Sequence, residues 1–298
     1  MKKLFIILIA TVLFTSCYDE FRLDHAFSSV AFSSADGGSN IVGVMHRTVV
    51  KNEGLKLDIG INLTGVIENN EERWAEFALD PGLMAAGEIK KAGYELMPSD
   101  YYTFSGTKFI INPGSILGKV TLTLDSAKFV NDPKALNHVY ALPLRLTSTS
   151  EDSINASLSS KIIVIKYINH FEGSYEQTGT MTDFDINGNQ TSSSGLDNVL
   201  NFTTLSLDSV ITDGMFNMTG KEFIMKIHPN ADNSVFIGNT PGSANNIITP
   251  EGKNTYDATT STFILNYKVT SSTGAYKKVS ATLKWRNRIR DGINEWRR

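Results

Sequence analysis

The chain has 298 residues, of which 41% are apolar and 20% charged, and its formal net charge is -3. This composition predicts a folded protein with a substantial core, and the lack of like-charge blocks excludes a nucleic-acid-binding arm. The only cysteine, Cys17, excludes an internal disulfide and a thiolate metal site, and no cofactor is predicted.

The N-terminus has the pattern of a bacterial lipoprotein signal peptide. Two lysines precede an apolar run, residues 4–14, that is too short to span a bilayer. Cys17 stands at the expected cleavage point, where the thiol of the first mature residue can accept a diacylglyceryl group. We therefore predict a signal peptide over residues 1–16 and a lipidated tether over residues 17–27. The alternative is an ordinary secretory signal with an incidental cysteine.

An acidic pair, Asp19 and Glu20, follows the cysteine closely. This pair resembles the export signal of Bacteroidetes-type surface lipoproteins. The resemblance implies a lipid anchor in the outer membrane, with the protein facing the cell exterior.

Alternating apolar residues predict strands in the next segment. Residues 55–63 place apolar side chains on one face and polar ones on the other, and residues 120–124 and 142–146 repeat this pattern. Pro143 favours an edge position for the strand that contains it. Residues 161–168 are apolar on both faces, which indicates an interior strand.

Helical signals are few. Asp80 is a plausible N-cap, Pro81 suits the first helical position, and Gly93 can end the helix. Asp132 and Pro133 can begin one more helical turn. These short helices between strands do not form repeated βαβ units, so the sequence predicts an all-β fold.

A change in composition near residues 168–172 predicts a domain boundary. We expect an immunoglobulin- or adhesin-like β-sandwich over residues 28–168. Residues 169–298 are predicted to form a second β-sandwich or a lipocalin-like up-and-down barrel. The strands predicted in this second part are residues 174–183, 199–207, 222–228, 234–237, 262–270 and 276–285.

Several spaced motifs resemble one domain family. They are Leu96-Met97-Pro98 before a tyrosine pair, Pro113-Gly114 at a turn, and a Tyr-Ala-Leu-Pro-Leu strand from Tyr140. The family is the uncharacterised domain that opens many Bacteroidetes glycan-utilisation lipoproteins. Residues 254–269 resemble, more loosely, the C-terminal domains that follow it. The resemblance implies a surface lipoprotein of a polysaccharide uptake system that binds glycan.

The sequence offers little support for an enzyme. A glycosidase needs two carboxylates about 5–10 Å apart, and a sequence cannot pair carboxylates across a β fold. Metalloprotease, nucleophile-elbow and phosphate-loop motifs are absent from the sequence. We therefore predict that the protein is not an enzyme.

The three tryptophans are the candidates for stacking on a sugar ring. Trp74 follows a polar loop and lies out of phase with its apolar neighbours, which favours exposure. Trp285 is in phase with Val279 and Leu283, which favours a core position, and Trp296 lies in the terminal segment. The basic residues that alternate from Lys284 to Arg290 are interpreted as the solvated face of the last strand.

One turn has a weak calcium-loop pattern. Asp183, Asp185 and Asn187 fit the first ligand positions of such a loop, but Ser194 stands where a bidentate glutamate is needed. A β-hairpin with an Asn-Gly turn explains the same residues without a metal.

Two functional hypotheses follow from these features. The first is a noncatalytic surface lipoprotein that binds oligosaccharide or polysaccharide near an outer-membrane transporter. The second is a structural or adhesive surface protein that binds a protein partner, such as a component of that transporter. An aromatic platform in a groove would favour the first hypothesis, and a broad apolar patch would favour the second.

Overall fold

The computed structural model describes residues 27–51, 53–240 and 246–296. Cys17 and the predicted signal peptide lie outside the described residues. Two large sheets hold most of the described residues, and the first sheet precedes the second along the chain.

The first sheet has 11 strands among the described residues, in the order β10-β1-β3-β8-β7-β4-β9-β11-β2, with β5 beside β9 and β6 beside β8. The strands are β1 (Ser29–Phe32), β2 (Val44–Val50), β3 (Lys56–Thr64), β4 (Arg73–Leu79), β5 (Glu95–Leu96), β6 (Tyr102–Phe104), β7 (Lys108–Ile111), β8 (Leu117–Leu124), β9 (Tyr140–Thr149), β10 (Ser153–Ile154) and β11 (Ser160–Ile168).

The two halves of the first sheet face each other across one core. Ile61 of β3 and Leu122 of β8 share this core with Leu142 of β9 and Ile163 of β11, and all four are fully buried. A second, smaller cluster covers the other face of β9 and β11. Because β11 is apolar on both faces, it lies inside the sheet between β9 and β2, as predicted.

The predicted helix at residues 81–93 is interrupted. A 3₁₀ turn, Pro81–Ala85, precedes helix α1 (Gly87–Lys91), because Ala86 between them has extended backbone angles. The Asp80 carboxylate accepts a hydrogen bond from Gly82 N at 3.0 Å, as its N-cap role requires. The remaining helical pieces are α2 (Lys128–Asn131) and the 3₁₀ turns Ser99–Tyr101, Pro133–Leu136, Ala156–Leu158 and Lys221–Phe223.

The expectation that Pro143 marks an edge strand is wrong, because β9 lies between β4 and β11. The Pro143 carbonyl accepts a hydrogen bond from Asp80 N at 2.9 Å, so the proline nitrogen faces the same neighbour. β4 ends at Leu79, next to this point. The missing N–H of proline therefore falls where the ladder between β4 and β9 ends.

The second sheet runs in the order β18-β17-β14-β13-β12-β22-β21-β19, with β20 beside β21 and β23 beside β22. The strands are β12 (Gly173–Phe184), β13 (Gln190–Thr204), β14 (Val210–Thr212), β15 (Gly214–Met215), β16 (Met218–Thr219), β17 (Met225–Pro229), β18 (Val235–Asn239), β19 (Asn246–Pro250), β20 (Thr255–Asp257), β21 (Thr262–Ser271), β22 (Tyr276–Arg290) and β23 (Ile293–Glu295). β15 and β16 form a separate small hairpin.

This second sheet is a nearly closed barrel. Its neighbouring strands follow one another along the chain from β12 onward, and β22 returns to pair with β12. At the remaining gap, the Asn239 side chain of β18 accepts a hydrogen bond from Ile248 N of β19 at 2.9 Å. The all-β prediction is confirmed. Of the two folds predicted for residues 169–298, the structure shows the barrel.

Polar contacts join the barrel to the first sheet. Asn169, which is buried between β11 and β12, donates hydrogen bonds through Nδ2 to the carbonyls of Ser206 at 3.2 Å and Leu207 at 2.8 Å. Lys51 Nζ donates to the same Leu207 carbonyl at 3.2 Å, and the Leu207 side chain packs on the first core. The loop after β13 therefore fixes the barrel against the first sheet.

Replacing Gly179 by alanine should destabilise the barrel strongly. Gly179 has a φ of +145°, and a Cβ there would lie 2.1 Å from the Ser280 carbonyl oxygen of β22. We expect G179A to lower the free energy of unfolding by about 2–4 kcal/mol. Gly195 on the neighbouring strand is the matched control, because a Cβ there meets nothing within 4 Å. Urea denaturation should leave G195A within about 0.5 kcal/mol of wild type, and equal losses in the two variants would contradict the prediction.

Candidate functional site

Trp74 is half-buried on β4, and a cation already covers its ring. Lys108 Nζ lies 4.4 Å from the ring centroid and forms an ion pair with Glu76 at 2.8 Å. A ligand that stacked on this ring would have to displace the lysine. Cations lie farther from the other two rings, with Arg288 at 5.8 Å from the Trp285 centroid and Arg286 at 5.9 Å from the Trp296 centroid.

Trp285 and Trp296 line one cleft of about 480 Å³ at an end of the barrel. Trp285 packs edge-on against the buried Tyr175, with ring centroids 5.4 Å apart. Trp296 is 57% exposed. The structure thus brings together two of the three candidates, one half-buried and anchored on the core and the other open to solvent.

Gly173 makes room for the anchored ring. A Cβ at this position would lie 2.4 Å from two carbon atoms of the Trp285 ring, and the glycine has a φ of +153°. Trp285 N donates a hydrogen bond to the Ser261 carbonyl at 3.0 Å, which attaches β22 to the loop between β20 and β21. The indole position therefore depends on backbone contacts as well as on the core.

The cleft also presents hydroxyl and charged groups. Thr259 and Thr260 line it from a loop that Asp257 holds, through hydrogen bonds from Thr259 N at 2.8 Å and Thr260 Oγ1 at 2.7 Å. Arg286 and Glu176 lie on the neighbouring strands β22 and β12, 3.8 Å apart. The Arg286 guanidinium lies 5.9 Å from the Trp296 ring centroid. Flat rings beside hydroxyl and charged groups can contact both the apolar faces and the polar groups of a ligand.

A tight hairpin places Trp296 in the cleft. β22 turns into β23 through Asp291 and Gly292, which have φ angles of +51° and +81°, and Arg290 pairs with Ile293 across the turn. Positive φ at both turn residues is the geometry of the two-residue hairpin that an Asp-Gly pair favours. The turn reverses the chain so that Trp296 returns towards Arg286.

A cluster of charges, which we call the clamp, joins this hairpin to the first sheet. Arg288 is only 3% exposed and forms ion pairs with Glu53 at 3.1 Å and with Glu295 at 2.6 Å. Arg290 pairs with the same two glutamates, at 3.2 and 2.5 Å. Asp291 accepts a hydrogen bond from Thr48 N of β2 at 3.1 Å. The interpretation of the basic residues as one solvated face is therefore wrong for Arg288.

The residues of the weak calcium pattern serve as hairpin partners. Asp185 accepts hydrogen bonds from Asn187 N at 2.9 Å and Asn189 N at 2.8 Å, across the turn between β12 and β13. Asp183 pairs with Lys277, whose hydrogen bond lowers the pKa of the carboxyl group. Within the described ranges, no group of three or more His, Cys, Asp or Glu residues is arranged to hold a metal ion.

The structure also brings together two histidines that the sequence left apart. His46 of β2 and His138 stack with ring centroids 4.1 Å apart, and His46 Nε2 lies 3.0 Å from Tyr94 Oη. Burial, and then the nearby His46 and Lys166, lower the pKa of His138 to about 3. Burial also lowers the pKa of His46. The spacing of these residues in the sequence gives no signal for this pair.

In the part of the chain that the structure describes, no helix is long and apolar enough to cross a membrane.

A family model described as an N-terminal domain matches residues 27–153. A search of curated proteins found no match.

Among solved structures, the chain is similar to a Bacteroides ovatus protein of unknown function. The TM-score is 0.65 at 18% identity, over 87% of this chain and 95% of that chain. A second B. ovatus protein of unknown function gives a TM-score of 0.49 at 17% identity, over 90% and 100% of the two chains. A multidomain B. ovatus protein gives 0.47 at 17% identity, over 90% and 99%. The first of these similarities shows that the two-part fold occurs in Bacteroides.

Removing the charge of Glu53 should loosen the hairpin that carries Trp296. In E53Q, the buried Arg288 loses one of its two carboxylate partners, so we expect the free energy of unfolding to fall by about 1–3 kcal/mol. We also expect iodide to quench the Trp296 fluorescence more strongly, measured as the difference from W296F in the same background. The control is E251Q, because Glu251 has nearly the same exposure (35% against 33%) and pairs with the exposed Lys278. Equal losses of stability and equal iodide quenching in E53Q and E251Q would contradict this role of the clamp.

The stacked histidines should make the fold less stable in mild acid. Because the folded state holds the His138 pKa at about 3, below the ordinary value of 6.5, the unfolded state binds more protons as the pH falls below 6.5. Stability is therefore lost between about pH 6.5 and 3. Replacing His138 by phenylalanine keeps a flat ring on His46 and removes one of the two titrating groups. Urea denaturation at pH 7 and 4.5 should show a loss about 1 kcal/mol smaller in H138F than in wild type, after allowance for partial exposure. An identical pH dependence would exclude this role of His138.

Proposed function

We propose that this protein is a noncatalytic glycan-binding lipoprotein of the bacterial surface, and that the Trp285–Trp296 cleft is its binding site. The observation that carries the proposal is the convergence of these two tryptophans with threonine hydroxyls and charged groups in one cleft. Aromatic rings can stack on the apolar face of a sugar ring while neighbouring polar groups hydrogen-bond its hydroxyls.

The proposed location rests on the sequence pattern at the N-terminus. Acylation of Cys17 would anchor the chain in the outer membrane, and the acidic pair after it would direct the chain to the exterior. There the cleft would capture oligosaccharide or polysaccharide for an uptake transporter. The similarity to the lipoproteins of glycan-utilisation systems agrees with this role, and the match of a family model to residues 27–153 lies in the same part of the chain.

The size of the cleft suits a few sugar units at most. A volume of about 480 Å³ lies within the usual range of small-molecule sites, about 300–1,000 Å³. A longer polysaccharide would therefore contact the barrel through a short stretch of its chain. The barrel would recognise a local feature of the glycan, such as a chain end or a side group.

Removing the exposed ring should abolish most of the binding without unfolding the barrel. In W296A we expect affinity for the bound glycan to fall at least about tenfold, since central aromatic rings dominate binding energy. Because Trp296 is 57% exposed, stability should change by less than about 0.5 kcal/mol. The measurement is a glycan-array screen of residues 18–298, followed by titration calorimetry on each bound glycan.

The control for this experiment is W74A, which removes an aromatic ring of the first sheet. Its affinity should equal that of wild type, because Trp74 lies on β4 of the first sheet and does not line the cleft. A loss of binding in W74A but not in W296A would move the site to the first sheet. The absence of binding to plant, host and microbial glycans would overturn the proposal and favour a protein partner.

A further inference from the structure

We propose that the ligand of the Trp285–Trp296 cleft is an anionic saccharide, one that carries carboxylate or sulfate groups. This inference rests on the proposed function and narrows its ligand class. It follows from the way the structure divides the basic residues of β22 into two pairs with different surroundings.

One pair of cations is neutralised inside the clamp. Arg288 and Arg290 both form ion pairs with Glu53 and Glu295, at distances between 2.5 and 3.2 Å. Two positive charges therefore face two negative charges, one contributed by the first sheet and one by β23. This pair has no net charge to offer a ligand.

The other pair lines the cleft. Lys284 and Arg286 are exposed, and the acidic residue that lines the cleft with them is Glu176. Glu176 lies 3.8 Å from Arg286, and the two side chains are 61% and 43% exposed, so the pair is open to solvent and weak. Lys284 makes no ion pair with any residue that the structure describes, although Glu176 is its cross-strand neighbour. The side chains that line the cleft therefore carry two positive charges and one negative charge.

The position of Arg286 links this charge to the stacking surface. Its guanidinium lies 5.9 Å from the centroid of the Trp296 ring. A sugar ring stacked on Trp296 would bring an acidic substituent close to Arg286, whose planar guanidinium can bind a carboxylate or sulfate through two parallel hydrogen bonds. Such a bidentate contact would be stronger than the 3.8 Å pair of Arg286 with Glu176.

The test uses acidic polysaccharides beside neutral forms of the same backbone. Polygalacturonate is compared with its fully methyl-esterified form, and chondroitin sulfate with its desulfated, carboxyl-reduced form. We expect residues 18–298 to bind at least one acidic polymer, and to bind its neutral form at least about tenfold more weakly. The affinity for the acidic polymer should fall as NaCl rises from 0.05 to 0.5 M, because salt screens exposed charges.

Charge variants test whether positive charge in the cleft raises the affinity for the acidic polymer. K284Q and R286Q should each weaken binding of the acidic polymer about threefold, whereas E176Q should strengthen it by a similar factor. The control variant is K268Q, which removes the charge of a lysine on β21 that does not line the cleft. Its affinity should equal that of wild type. All four variants should keep the unfolding midpoint of wild type, because the substituted side chains are not core residues.

The outcomes separate this inference from the function it rests on. If neutral glycans bind, W296A abolishes that binding, and K284Q, R286Q and E176Q change nothing, the anionic class is wrong and the glycan site stands. If an acidic polymer binds equally to wild type and W296A, the charges act away from the cleft and the inference fails. If neither acidic nor neutral glycans bind, the proposed function fails, and this inference fails with it.

Discussion

The buried charge of Arg288 is the constraint on which the arrangement of the candidate site depends. An arginine with 3% exposure is strongly unfavourable unless carboxylates pair with it, and its two partners come from different parts of the chain. Glu295 belongs to its own hairpin, whereas Glu53 follows β2 of the first sheet. Pairing this one guanidinium with both carboxylates therefore fixes the β22–β23 hairpin against the first sheet, and it fixes the direction in which the chain continues to Trp296.

The packing of the barrel explains why its candidate site lies at one end. Eight-stranded barrels either fill their interior with side chains or enclose one small ligand. Here Tyr175, Phe202 and Phe263 are buried and contact one another, with ring centroids 4.3–5.5 Å apart. Tyr267 is also fully buried, and this burial raises the pKa of its hydroxyl group. Because these rings occupy the interior, a ligand of the barrel would bind outside it, and Trp285 lies at the edge of this aromatic core.

Strands were predictable from the sequence where their apolar residues are buried in a core. β3 and β21 are predicted almost to their ends because apolar residues alternate along them, and β11 because it is a short run that is apolar on both faces. β13 begins at Gln190, before its predicted start, because its first residues are polar and exposed and therefore leave no alternation. The burial of Arg288 could not be predicted, because its partner Glu53 is distant in sequence and charge alone indicates solvent. Asp291-Gly292 is a local signal for the hairpin, and it could have indicated that Trp296 returns towards Trp285.

The clamp would give the first sheet an indirect role in the proposed binding site. Glu53 acts on Arg288, Arg288 and Glu295 hold the two strands of the hairpin together, and Trp296 directly follows Glu295. A hairpin released from the clamp would have to be ordered again when a ligand stacks on Trp296, and that cost would reduce affinity. By thermodynamic reciprocity, a ligand that orders Trp296 also strengthens the docking of the barrel on the first sheet. The two parts of the fold are thus energetically linked through a few charged residues, and the proposed binding surface depends on the contact between them.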